Sequence, residues 1–239
     1  MMRLHLLGVN GPFPESRGAT SGYLLEAGNS LFQFDLGSGV LAALTALTAP
    51  ESLTALLLTH WHFDHASDIG VLQYRLEALN KTLPVYGPAD PDSPLYRLAF
   101  EKPCFDFREV SAGSAFTLEG AEIRVTAALH PVPAVGYTLT YEEKTFGYTG
   151  DTKPIPSLKE DYRGCTLLLA DAPFPRDAWH EGRPIQSAEQ AARLAADTGA
   201  GSLVITHLNP LFPRRTILEE ARSVFLRTQL AEAGAVIDL

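Results

Sequence analysis

Residues 56–65 read Leu-Leu-Leu-Thr-His-Trp-His-Phe-Asp-His, and no other stretch limits the fold of this chain as much. The apolar run at 53–58 has the length and bulk of a buried strand, and residues 68–80 carry a helical pattern. The three histidines and the aspartate therefore fall on the loop between them. Strand, polar loop and helix in that order is the grammar of an α/β scaffold. His60 and His62 stand two apart on extended backbone and point the same way, so they can share one ion. Asp64 and His65 are displaced along the loop and can reach a second. Imidazole nitrogen with carboxylate oxygen suits zinc, and also iron, manganese or nickel. Three of the chain's seven histidines fall on this one spacing, which a polar loop with scattered histidines does not explain.

The motif resembles the signature of the metallo-β-lactamase superfamily. That family supplies three later ligands in a fixed order: a histidine, an aspartate bridging two metals, and a last histidine. The resemblance implies these roles for His130 in LHPVPAVGY, Asp151 in YTGDT and His207 in VITHLNP, each at or just past a β-like run. It extends from residue 35 to 210, and the TGDT and HPVPAVGY forms are most similar to the ribonuclease Z-like branch and its small bacterial relatives. The implied fold is an α/β, four-layer αβ/βα sandwich with two divalent metal ions, zinc first among them, at one edge. Asp35 stands at a strand end before Leu36-Gly37-Ser38-Gly39, where the family has an aspartate that accepts the N–H of a metal-bound histidine and fixes its tautomer. A turn aspartate is the alternative. At Asp171, in LLADAPF, the branch usually carries a glutamate; the shorter carboxylate is a departure that can keep a supporting role behind the ligands.

The rest of the chain reads consistently with one such domain, because no linker, low-complexity tract or charge run divides it. A strand at 3–8 is followed by a hairpin of 23–26 with 30–34, turned at Gly28-Asn29. A helix at 40–48 follows, then one at 69–79 with a single buried face. A short strand at 83–86 leads into a proline-broken region with a helix at 95–100, where Phe100, Phe105 and Phe107 read as an aromatic cluster, core or alternatively lining a substrate site. Strands at 121–128, 135–141 and 144–148 follow, the last two forming a hairpin around Glu142-Glu143. A strand at 166–170 ends in Asp171. Ser187 and Gln190 form a capping box for a helix stopped by Gly199, and a strand at 202–206 presents His207. A second cap, Thr216 with Glu219, opens a final helix to about residue 230, and 235–239 closes a sheet edge. The two halves repeat one strand-ligand-helix pattern without sequence repetition.

The formal charge of −9 over 239 residues disfavours binding by general phosphate neutralisation, so a nucleic-acid partner is not favoured. Two divalent ions, less Asp64, Asp151 and one hydroxide, leave about +1 at the site, enough to draw a small anionic substrate. No apolar run approaches ~18 residues, so no membrane span is expected. The absence of a signal-peptide pattern and two isolated cysteines, Cys104 and Cys165, point to the cytoplasm.

The resemblance implies a metal-dependent hydrolase, most simply a phosphodiesterase in which a shared, acidified water attacks phosphorus and Asp64 relays a proton. Two features argue against tRNA as substrate. His130 and Asp151 are only 21 positions apart, leaving no room for the arm that tRNA-binding relatives commonly carry. The histidine those relatives have before the capped helix is replaced here by the Pro184-Ile185-Gln186 run. His180 could substitute for it or be an exposed loop histidine, and Arg214 with Arg215 could grip a phosphate or be a solvated pair. A small or flexible phosphodiester is favoured over a lactone or carboxylic ester, and both over a non-hydrolytic metal or di-iron redox protein. A homodimer fits family habit, and His5 reads as structural.

Overall fold

The computed structural model describes residues 1–239. Strands β1 (Met2–Gly8), β2 (Gly22–Ala27), β3 (Ser30–Phe34), β4 (Ala55–Leu57), β5 (Leu83–Gly87) and β6 (Phe105–Glu109) lie side by side in one sheet. Strands β7 (Ala115–Leu118), β8 (Ala121–Ala127), β9 (Val135–Tyr141), β10 (Lys144–Tyr148), β11 (Leu167–Asp171), β12 (Ser202–Thr206) and β13 (Thr228–Leu230) form the second, also in chain order. The last strand, β14 (Val236–Asp238), returns to the first sheet and pairs antiparallel with β1.

Strands buried on both faces read as unbroken apolar runs, as in Ala55-Leu56-Leu57 and Leu167-Leu168-Leu169, and both runs are fully buried. Their inward side chains meet in a core between the sheets that includes Leu4, Phe32, Phe34, Tyr137 and Phe146. Helices cover the outer faces. Helices α1 (Val40–Thr45), α3 (Ile69–Leu79) and α4 (Pro94–Glu101) pack on the first sheet, with Ile69, Leu72 and Leu76 forming the buried stripe of α3. The short α2 (Phe63–Ala66) precedes α3, while α5 (Leu158–Asp161), α6 (Ala188–Thr198) and α7 (Arg214–Val224) build the outer core of the second sheet. Helix, sheet, sheet and helix make the expected four layers. Within each sheet the later strands are parallel, from β3 to β6 and from β10 to β13. Each parallel crossover places the following loop at the carboxyl ends of the strands, which is where an α/β sheet presents ligands.

Three local expectations are corrected. Asp64 and His65 lie in the helical turn α2, not on an open loop: after extended His62 (φ −64°, ψ 149°), His65 N and Ala66 N both donate to His62 O at 3.0 Å. The final helix begins at Arg214, with Pro213 supplying the entry at φ −65°, and Thr216 sits inside it without capping. It also stops at Val224, because residues 228–230 take the free edge of β12 as β13. Strands β6 and β7, with polar residues on one side, escaped the apolar-run reading altogether. The capping box at Ser187 is present in both directions: Gln190 N donates to Ser187 Oγ at 3.3 Å and Ser187 N to Gln190 Oε1 at 2.8 Å. Gly199 then ends α6 at φ 68°.

Candidate metal centre

Four segments bring seven side chains to one edge of the sandwich: residues 60–65 after β4, His130 between β8 and β9, Asp151 after β10 and His207 after β12. His62 Nδ1 stands 3.0 Å from His60 Nε2 and 3.2 Å from His130 Nε2. On the other side His207 Nε2 is 3.1 Å and His65 Nε2 3.8 Å from Asp64 Oδ2. Asp151 spans the two groups. Its Oδ2 lies 3.8 Å from His130 Nε2, and its Oδ1 lies 3.6 Å from His65 Nε2 and 3.5 Å from His207 Nε2. Three sets have ligand atoms within 4.8 Å of one another: His60, His62 and His130; His60, His65 and Asp151; and Asp64, His65 and His207.

These donors fit divalent cations. Three imidazole nitrogens turned on one point cannot all be satisfied by sharing protons. Asp151 Oδ1 is buried with no hydrogen-bond partner, and a buried, unpaired carboxylate oxygen is costly unless a positive charge faces it.

The opposite ring nitrogens of His60, His65 and His130 have partners behind them, whereas His207 Nδ1 is buried without one. Asp35 Oδ2 accepts from His65 Nδ1 at 2.7 Å and from Tyr148 Oη at 2.8 Å, and Asp35 Oδ1 accepts from Thr59 N at 2.8 Å. Asp35 thus backs the His65 ring, and its own backbone is left-handed (φ 51°). Thr59 Oγ1 lies 3.0 Å from His60 Nδ1, and His130 Nδ1 lies 3.3 Å from Pro184 O. Tyr148 Oη is also 3.2 Å from Asp171 Oδ2. Burial pushes the Asp171 carboxyl well above the usual range. His207, itself at φ 56°, is confined by Gly11, where a Cβ would stand 2.1 Å from the imidazole.

Electrostatics divides the histidines. Burial drives His60 well below the ordinary imidazole range and lowers His130 as well, so both are neutral lone-pair donors. Burial also opposes charge on His65 and His207, but Asp35 and Asp151 outweigh it for His65. Asp151 and Asp64 do so for His207, which is pushed up to about 9. Asp64 stays ionised: despite burial, His65 and His207 hold it below the carboxylate range. Asp151 is lowered in the same way.

His180 and Arg214 do not join this cluster. His180 is exposed and its Nδ1 accepts from Gly182 N at 3.2 Å within its own loop. Arg214 is paired with Glu15, and Arg215 with Glu219 at 2.6 Å, so a phosphate grip at either is not formed. His5 bonds Glu26 at 2.9 Å. Phe107 packs edge-on against Trp61 and Tyr96, and Cys104 and Cys165 are buried free thiols. Sequence reasoning missed Thr59, Tyr148, Gly11 and the Pro184 carbonyl. Thr59 and Tyr148 stand inside the motifs that identify the site, but a strand reading absorbs them. No helix is long and apolar enough to cross a membrane.

Comparison with known proteins identifies the family. Residues 21–208 match the model of the β-lactamase superfamily domain. The chain is 30% identical to the probable metallo-hydrolase YhfI of Bacillus subtilis, covering 98% of this chain and 99% of that protein. It is 31% identical to a ribonuclease Z of Mycobacterium avium, over 88% and 87% of the two chains. The crystal structure of YhfI superposes with a TM-score of 0.92 over 99% of this chain and 98% of its own. The short form of human tRNase Z, 17% identical, shares the fold at a TM-score of 0.81 over 99% and 98%. The chain therefore belongs to the β-lactamase superfamily, as a metal-dependent hydrolase with ribonuclease Z-like relatives.

Proposed function

We propose that this protein is a dinuclear phosphodiesterase acting on a small or flexible phosphodiester. His60, His62, His130 and one oxygen of Asp151 would hold one divalent ion, and Asp64, His65, His207 and the other oxygen of Asp151 the second. The observation that carries the reading is the division of the two Asp151 oxygens between the two histidine groups. Zinc suits this donor set best, with manganese, iron or nickel chemically admissible. A bound pair of such ions supplies Lewis acidity, which acidifies water and stabilises charge developing on the substrate. Asp64, 13% exposed at its side chain, is the ligand carboxylate with solvent access and would be placed to relay a proton from the attacking water. Asp35, Tyr148 and Asp171 keep the His65 ring fixed while charge moves in front of it.

Phosphodiester chemistry is supported by the ribonuclease Z relatives at 31% identity. A tRNA substrate is not, since β9 and β10 are joined by a tight turn and no arm extends between His130 and Asp151. The test is metal analysis combined with turnover of a chromogenic phosphodiester, a lactone and a thioester. Phosphodiester cleavage that rises and falls with metal content, and is lost with bound metal in Asp151→Ala, is the expected result. Carbonyl turnover alone would overturn the reading.

A further inference from the structure

A cleft of about 760 Å³ opens at the ligand-bearing edge and adjoins His130. Its volume is that of a small-molecule site. One wall is formed by residues just beyond β5 and β6, namely Pro88, Ala89, Val110 and Ala112; the other is the segment 128–135 that carries His130. Two contacts tie it to the metal centre. Trp61, between His60 and His62, donates from Nε1 to Pro88 O at 2.7 Å, and Val135 N donates to the carbonyl of Thr59 at 2.9 Å.

The side chains of the lining are mostly small and uncharged, while backbone polar atoms also face the cleft. Of thirteen residues, ten are proline, alanine or valine; the others are Glu109, Ser111 and His130. No lysine or arginine is among them, and the Glu109 carboxylate is already engaged by the Tyr96 hydroxyl. A polynucleotide strand leaving the ions along this path would meet no cation and one carboxylate, whereas nucleic-acid grooves depend on cations along the backbone. Prolines also make the walls stiff, so the cleft can select shape with little ordering cost.

We propose that this cleft seats an uncharged alkyl or aryl arm of the substrate, so that the preferred ester carries a short apolar group on one side of the scissile bond. The assignment rests on the hydrolase reading above for where the bond is cleaved, but its test is a binding measurement. Methyl-, butyl- and hexylphosphonate are titrated calorimetrically into the zinc-loaded protein, with a phosphorothioate dinucleotide for comparison. Hexylphosphonate should bind at least about tenfold more tightly than methylphosphonate, since each buried methylene is worth up to about fourfold and the cleft is partly open. Ala112→Trp and, independently, Ala89→Trp should cut that gain to below about threefold. Both positions are exposed, so neither indole has to enter the core.

Equal binding of the three phosphonates, a gain unaffected by both tryptophans, a dinucleotide that binds more tightly than hexylphosphonate, or no binding of hexylphosphonate up to about 10 mM would each overturn the proposal. The two readings fail separately. Chain-length preference without turnover of any ester keeps the cleft and sinks the phosphodiesterase; phosphodiester turnover without chain-length preference does the reverse.

Discussion

Gly11→Ala isolates one ligand of the centre. Gly11 is not in the left-handed region, so the effect of alanine is mainly steric. The added methyl would stand 2.1 Å from the His207 ring, against 3.4 Å for ordinary van der Waals contact, so one of the two must move by about 1.3 Å. The backbone of residue 11 cannot easily retreat: Gly11 N donates to Leu208 O at 3.2 Å, and Asn10 Nδ2 donates to the same carbonyl at 3.3 Å. The imidazole therefore yields, by several times the roughly 0.2 Å tolerance of a metal–ligand distance. An ion held as proposed by Asp64, His65 and His207 should weaken by about two orders of magnitude, while the His60, His62 and His130 group is untouched. Overpacking should cost about 1–3 kcal/mol of stability, leaving the protein folded. Metal content of protein equilibrated with buffered zinc should fall from two ions to one, with unchanged far-ultraviolet circular dichroism and turnover reduced about 100-fold. Two tightly held ions and a normal rate in the variant would refute the placement of His207.

Tyr148→Phe removes the hydroxyl shared by Asp35 and Asp171. A hydrogen bond to a charged group is worth about 1.5–3 kcal/mol, so thermal denaturation should show a lower midpoint and metal affinity should fall about 10- to 100-fold; a wild-type melting curve and affinity would contradict the hydrogen bonding described. In the metal-free protein the raised His207 value, about 9, stabilises the fold fully below the unfolded value near 6.5 and loses that contribution as pH rises through about 9. Metal requires the neutral ring, so loading at pH 7.5 should release protons from His65 and His207 and zinc affinity should rise with pH up to about 9; a pH-stat titration showing no release would contradict this.

Much of this was legible because the chemistry is local in sequence. Four of the candidate ligands fall within residues 60–65, and the strand pattern placed His130, Asp151 and His207 once a family resemblance had assigned their order. The hairpin around Glu142-Glu143 and the Ser187 capping box depend only on neighbours, and both formed as read. What escaped depends on contacts distant in sequence. Tyr148 reaches Asp35 across 113 positions, and nothing in YTGDT distinguishes its hydroxyl from that of a core tyrosine. Gly11 matters only because the fold lays its loop on His207. Thr216 with Glu219 has the spacing of a cap, but Pro213 had already set the helix start, and the open edge of β12 competed successfully for residues 228–230.

The same topology explains why ligands and cleft are neighbours yet separable. Parallel strands joined by outer helices send every β-to-α loop to one edge, so the ends of β4, β5 and β6 face those of β10 and β12 across the inter-sheet core. The ends of β4, β10 and β12 carry the proposed metal ligands, whereas those of β5 and β6 carry prolines, alanines and valines. Metal ligands answer to distances of tenths of an ångström and must be anchored by buried partners such as Asp35, Tyr148 and Thr59. Cleft residues such as Ala89 and Ala112 are exposed and hold nothing else in place. Substitutions there can change which ester is accepted without disturbing the donors that fix the ions, and a relative with the same ligand set can act on a very different molecule.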